Sequence, residues 1–138
     1  MTRWLIDTSA LVRFSVPEVD LRLGPLVDAG LVSTCTAIDL EVGRSARSGL
    51  EHAAGRRDRA ALFDTVPTGQ AELDRAHEVQ GLLADRGHHR GVPLADLIVA
   101  ATAERAGLTV LHYDADYDRI AAVTGQPVEW VVERGSID

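Results

Sequence analysis

The stretch Trp4-Leu5-Ile6-Asp7-Thr8-Ser9 constrains the chain more than any other. An apolar run that stops at a carboxylate and two hydroxyls is the pattern of a buried strand delivering polar groups at its carboxyl end. In an open parallel α/β sheet that end faces the crevice where ligands sit. Three later stretches place acids after apolar segments or on apolar helices: Ile38-Asp39-Leu40-Glu41-Val42, Pro93-Leu94-Ala95-Asp96-Leu97-Ile98 and Val110-Leu111-His112-Tyr113-Asp114-Ala115-Asp116. The expectation is that these carboxylates converge on Asp7 and hold a divalent metal.

Between these stretches the pattern alternates strand and helix. After the first strand, residues 31–35, 63–67, 108–113 and 128–132 read as strands, the last a half-exposed edge in which Val128, Trp130 and Val132 alternate with Glu129. Helices are expected over 9–15, over 18–29 with a bend or restart at Gly24-Pro25, from Thr36 to about Arg47, and over 50–62. Thr36 reads as an N-cap whose capping box is completed by Asp39, while Glu41 borders the buried face. Thr68 is expected to cap a longer helix carrying Leu73, Ala76, Val79 and Leu83. Another helix starts at Pro93 and stops at Gly107, and Asp114-Ala115-Asp116 opens the last, with Asp118 on its surface. Residues 86–91, including His88 and His89, read as a loop, and 134–138 as a frayed tail. One α/β domain spanning 1–138, a helix-flanked sandwich around a mostly parallel sheet, accounts for this order.

Composition narrows the function. An apolar fraction of 46% and a charged fraction of 25% belong to an ordinary globular chain. No apolar stretch approaches the roughly 20 residues of a membrane helix, and no secretory leader is evident, so a cytoplasmic, membrane-free protein is expected. The lone Cys35 reads as a small core residue. A net charge of −7 argues against a broad basic surface for nucleic acid, so a polyanionic substrate would need bound cations. All 14 basic residues are arginine, which excludes any mechanism needing a catalytic lysine. The most basic region is Arg56-Arg57-Asp58-Arg59 with Arg44 and Arg47, read mainly as a solvated helix face with a minority free to meet phosphate.

Crossovers between parallel strands share one hand, so the strands point their carboxyl ends to one edge. Asp7 and Asp114 then share that edge, with Glu41 and Asp96 leaning over it. Carboxylates crowded in one crevice repel, and a dication removes the cost. Ligation by oxygen alone, without Cys or His, favours Mg²⁺ or Mn²⁺. Such a metal activates water and steadies a phosphodiester, and a pair about 3.5–4 Å apart would clamp both oxygens of the displacement.

Together the motifs Leu5-Ile6-Asp7-Thr8-Ser9-Ala10-Leu11, Ile38-Asp39-Leu40-Glu41-Val42, Pro93-Leu94-Ala95-Asp96-Leu97-Ile98-Val99-Ala100 and Val110-Leu111-His112-Tyr113-Asp114-Ala115-Asp116-Tyr117 resemble the successive acidic motifs of PIN-domain nucleases, specifically the VapC toxins of bacterial toxin–antitoxin systems. The similarity runs along essentially the whole chain. It implies a PIN-like three-layer sandwich with strand order 3-2-1-4-5 and a Mg²⁺-dependent endoribonuclease. Asp7 and Asp96 would be the main metal ligands, Glu41 and Asp114 would complete the site, and Asp116 would be a fifth acid not ranked against Asp114. Thr8 or Ser9 would position water or phosphate. The resemblance also implies an RNA substrate, a homodimer, and a VapB-type antitoxin whose tail blocks the crevice.

Other strand-Asp enzymes fit less well. Haloacid-dehalogenase-type phosphatases need a second Asp where this chain has Ser9, and both they and receiver domains need a lysine. No Gly-Lys-Ser/Thr loop is present for a P-loop hydrolase. The remaining rival is a PIN-like module that binds RNA or its antitoxin without cutting.

Overall fold

The computed structural model describes residues 1–138. Five strands, β1 (Trp4–Ile6), β2 (Val32–Thr34), β3 (Asp64–Thr65), β4 (Thr109–His112) and β5 (Val128–Trp130), form one sheet in the order 3-2-1-4-5. Every neighbouring pair is parallel. The connections carry α1 (Thr8–Leu11), α2 (Pro17–Asp28), α3 (Thr36–Arg44), α4 (Gly49–Leu62), α5 (Gln70–Ala84), α6 (Leu94–Ala106) and α7 (Asp116–Thr124).

A parallel sheet must be covered on both faces, and alternating side chains of β1 and β4 supply the two cores. Leu5 and Val110 point into a cluster with Ile38 of α3, Val79 and Leu83 of α5, Val99 of α6 and Ile120 of α7. Trp4, Ile6 and Leu111 point the other way, onto Ala10 of α1 and Val19 and Leu23 of α2. The result is the expected three-layer sandwich. Cys35 is a buried free thiol of the first cluster, and burial pushes its pKa up. No helix is long and apolar enough to cross a membrane.

The structure revises several local expectations, some of them through contacts from far along the chain. Cys35, not Thr36, is the N-cap of α3. Asp39 does not close a capping box there; its Oδ1 accepts from Arg59 Nε at 2.7 Å, across to α4. Arg59 itself is buried rather than solvated. Thr68 lies outside α5, whose N-cap is Gly69, because its hydroxyl bonds Thr102 of α6 at 2.8 Å. Leu73, expected on the buried stripe of α5, is exposed. Pro93 is the N-cap of α6 rather than its first residue. Helix α2 runs unbroken through Gly24-Pro25. The carbonyl that Pro25 leaves without a donor belongs to Leu21, which lies at an exposed position open to solvent. The 86–91 segment contains a single 3-10 turn, His89–Gly91. The C-terminal tail is not frayed: Tyr113 Oη donates to Ile137 O at 2.7 Å and accepts from Gly135 N, and Arg13 Nε reaches Asp138 O at 2.9 Å.

Candidate functional site

The carboxyl ends of β1, β2 and β4 lie along one rim of the sheet, because the strands are parallel and in register. The β1–β4 ladder continues one residue past the strand, with Asp7 N donating to Leu111 O at 2.9 Å. Asp7 is thereby fixed at the rim in extended conformation, where it also N-caps α1. Chain leaving β2 enters α3 with Glu41, and chain leaving β4 reaches Asp114 and then α7 with Asp116. Asp96 enters the same rim from the first turn of α6.

Asp7 is 3% exposed and held by three donors. Its Oδ2 accepts from Ser9 N at 2.9 Å and Ser9 Oγ at 2.6 Å, and its Oδ1 accepts from Tyr117 Oη at 2.5 Å. Ser9 Oγ in turn accepts from Tyr113 N at 2.9 Å, so β4 braces the group that orients Asp7. Thr8 Oγ1 donates to Glu41 Oε1 at 2.8 Å and ties α3 to the start of α1. Asp114 Oδ1 accepts from Asp116 N at 2.9 Å, a local turn that opens α7.

Asp96 has the opposite environment. It is buried, and its Oδ2 has no hydrogen-bond partner. One ligand atom from each of Asp96, Asp114 and Asp116 fits within 4.8 Å of the others. Burial, then the charges of Asp7, Asp114, Asp116 and Glu41, push the Asp96 carboxyl up to about 8. Asp116 is also raised, by burial and then by Asp114, against the opposing pull of Arg119. Burial, and then Asp7, holds the Tyr117 hydroxyl well above its ordinary range, which keeps it a proton donor to Asp7. His112 is buried between the rings of Tyr117 and Trp130, each centred 5.0 Å away, and burial lowers its pKa. Its Nδ1 accepts from Asp114 N at 3.2 Å, so it helps to fix Asp114 as a neutral acceptor.

The PIN domain family model matches residues 4–123. Ribonuclease VapC21 of Mycobacterium tuberculosis is 47% identical over 135 residues, covering 98% of both chains. Ribonuclease VapC51 of the same organism is 46% identical over 138 residues, covering 99% of this chain and 98% of the relative. The chain belongs to the VapC family of PIN-domain ribonucleases. Among solved structures, a DNA-bound VapBC from Salmonella typhimurium superposes with a TM-score of 0.78 at 15% identity, over 96% of this chain and 100% of that one, a likeness of fold.

This VapC chain brings together the acids that its sequence singles out, but it does so unequally. Asp96, Asp114 and Asp116 offer converging oxygens, whereas both oxygens of Asp7 already accept bonds. Glu41 approaches through Thr8. Asp118 is exposed and accepts from Trp130 Nε1 at 3.2 Å, away from the cluster. The unpartnered, buried Asp96 Oδ2 amid four further acids fits a hard dication, since an oxygen-only donor set of this charge suits Mg²⁺ or Mn²⁺. Sequence reasoning missed Tyr117 and Tyr113 as braces for Asp7. The one signal was Tyr117's position, a hydroxyl one helical turn beyond Asp114.

Proposed function

We propose that this protein is a Mg²⁺- or Mn²⁺-dependent endoribonuclease, the toxin of a VapBC-type toxin–antitoxin pair, acting as one PIN unit over residues 1–138. The observation that carries the reading is Asp96: a buried carboxyl with an orphaned oxygen and acids on every side. Asp96, Asp114 and Asp116 would hold the cation, with Asp7 and Glu41 completing the charge around it. When bound, the cation supplies a Lewis acid that polarises phosphodiester and water. The chain's own part is placement and proton control. Ser9 and Tyr117 hold Asp7 as an oriented acceptor. Thr8 does the same for Glu41, and in each case a hydroxyl orients a carboxylate rather than standing free for substrate. Asp96 must release its proton from a carboxyl oxygen on loading, so affinity for the cation rises with pH until that group is ionised.

RNA as substrate follows from relatives named ribonucleases. A VapB-type antitoxin as partner follows from solved relatives that are VapBC complexes, and the homodimer and cytoplasmic setting follow from the family resemblance. The test is cleavage of total RNA, with ends mapped after incubation in Mg²⁺. The expected result is discrete cleavage lost on adding EDTA and absent from Asp7→Asn. Cleavage that survives in Asp7→Asn at the wild-type rate would reject the site, and RNA binding without cleavage by the wild type would assign a non-cutting module instead.

A further inference from the structure

The pair of helices α3 and α4 encloses a hollow that the acid cluster does not use. Thr36, Asp39, Leu40, His52, Arg56 and Arg59 line about 170 Å³. Arg59 is nine-tenths buried there, yet its guanidinium makes only the Nε bond to Asp39, at 2.7 Å. Its Nη1 and Nη2 donors have no acceptor in the chain. Both amino groups still reach solvent, so they are open to an anion that enters the hollow, and a charge-assisted pair with it would be strong. Arg56, on the same wall, makes no ion pair at all. Two guanidiniums therefore face one carboxylate, leaving the hollow positive in a chain of net charge −7.

Two glycines behind the hollow leave room for the side chains that line it. A Cβ on Gly55 would stand 3.2 Å from Arg59 Nη1, and one on Gly43 would stand 3.0 Å from His52 Nε2. A side chain at either position would press on a donor that lines the hollow.

We propose that this hollow binds a backbone phosphate of the RNA, a few nucleotides from the one that is cut. Arg56 and the free amino groups of Arg59 donate to its oxygens, and His52 and the Thr36 hydroxyl close it. The inference rests on the ribonuclease reading, for which it names a substrate subsite. An RNA phosphate is favoured over an acidic protein segment by position. Helix α3 carries Asp39 and Thr36 toward the hollow and Glu41 toward the acid rim, so the two sites stand about one helix diameter apart, roughly 10–12 Å. A single strand lying across the rim reaches the hollow within a few phosphates. The cations at the rim are already engaged, Arg119 at 3.7 Å from Asp116 and Arg13 Nη1 on Ser9 O at 2.6 Å.

The test measures binding of a fluorescein-labelled, mixed-sequence single-stranded RNA by anisotropy across a KCl series in EDTA, where cleavage does not confuse binding. Arg56→Gln, an exposed substitution that the fold tolerates, is expected to weaken binding by about three- to tenfold. It should also flatten the slope of log K against log[salt] by about 0.7, the value for one single-strand phosphate contact. Arg105→Gln, at the far end of α6, should change neither. In Mg²⁺, Arg56→Gln should raise KM with kcat held within twofold. Arg59→Gln, checked for folding by its melting curve, should show the same pattern. Wild-type affinity and slope in both Arg56→Gln and His52→Ala would overturn the proposal. So would a deca-glutamate peptide whose binding, but not that of RNA, responds to Arg56→Gln, since the hollow would then belong to an acidic protein segment. Binding that depends on Arg56 in a wild-type protein that never cuts would reject the ribonuclease reading while leaving the phosphate site in place.

Discussion

The two ends of α6 handle carboxylates in opposite ways. At the C-terminal end, Glu104 takes two bonds from Arg75, at 2.7 and 3.2 Å, and Arg75 also holds Glu78 at 2.8 Å. Glu72 faces Arg105 at 3.8 Å. At the N-terminal end, Asp96 meets Asp7, Asp114, Asp116 and Glu41 with no ion pair of its own, and Arg119 stands 3.7 Å from Asp116. The first end is electrically complete in the chain alone. The second is assembled short of positive charge, and only something from outside can supply it. The proposed function draws on the incomplete end.

The sharpest way to break that contrast is to neutralise the incomplete end. Asp96→Asn keeps the shape of the side chain and removes its charge. Loss of one cation ligand should cost several kcal/mol of transition-state stabilisation, about 10³-fold or more in kcat/KM for RNA cleavage in saturating Mg²⁺. The same variant should respond less than the wild type when Mg²⁺ is added in a melting experiment, because fewer oxygens bind the ion. Equal Mg²⁺-induced shifts in Tm would remove Asp96 from the cation site.

Next in size is a dependence on pH that has an unusual sign for a carboxylate. In the folded, metal-free protein, burial and then the surrounding acids push the Asp96 carboxyl from its ordinary 3.8 up to about 8. Its folded pKa is raised, so its stabilising contribution is complete below about pH 4 and is lost as pH climbs through 8. In EDTA, the apparent stability should therefore fall between those limits by an amount on the order of a few kcal/mol. Saturating Mg²⁺ should offset the fall, since the cation then favours the ionised form. Asp96→Asn should remove most of the slope in EDTA. A metal-free wild type whose Asp96-dependent stability rises with pH over this window would contradict the crowding at the rim.

Strand-end acids were legible in the sequence because an apolar run terminating in a carboxylate is a local signal, and Asp7 and Asp114 both carry it. The strand order was legible only through the family resemblance, since periodicity does not order strands. What escaped was decided by partners distant in sequence. Asp39 sits three residues after Thr36, as a capping box requires, yet Arg59 took the carboxylate from 20 residues away. Residues 134–138 have the composition of a loose end, and the hydroxyl of Tyr113 nevertheless ties them down. The inequality among the site acids was hidden for the same reason: nothing near Asp7 in the chain announces Tyr117, which is 110 residues away.

Tyr117 lets the saturated side of the rim be tested on its own. Tyr117→Phe removes one hydroxyl from a fully buried ring, so packing persists while Asp7 Oδ1 loses its donor. Partners that orient a ligand typically contribute 10- to 100-fold to metal affinity or activity. A loss in that range is expected, with part of it recovered by raising Mg²⁺. A merely structural tyrosine would lower Tm without altering the Mg²⁺ concentration needed for half-maximal rate.

The smallest expected effect lies at the complete end of α6. Glu104→Gln breaks the charge pairing with Arg75, whose side chain is about a quarter exposed, as is that of Glu104. After allowance for solvent screening, a pair so placed contributes about 1 kcal/mol or less, and Arg75 keeps Glu78 in the variant. The expected outcome is a slightly lower Tm, with cleavage rate and Mg²⁺ dependence within twofold of the wild type. A large fall in activity with Tm unchanged would mean that the two ends of α6 are coupled. Charge balance at one end would then help to set the position of Asp96 at the other, and the division between a structural end and a functional end would fail.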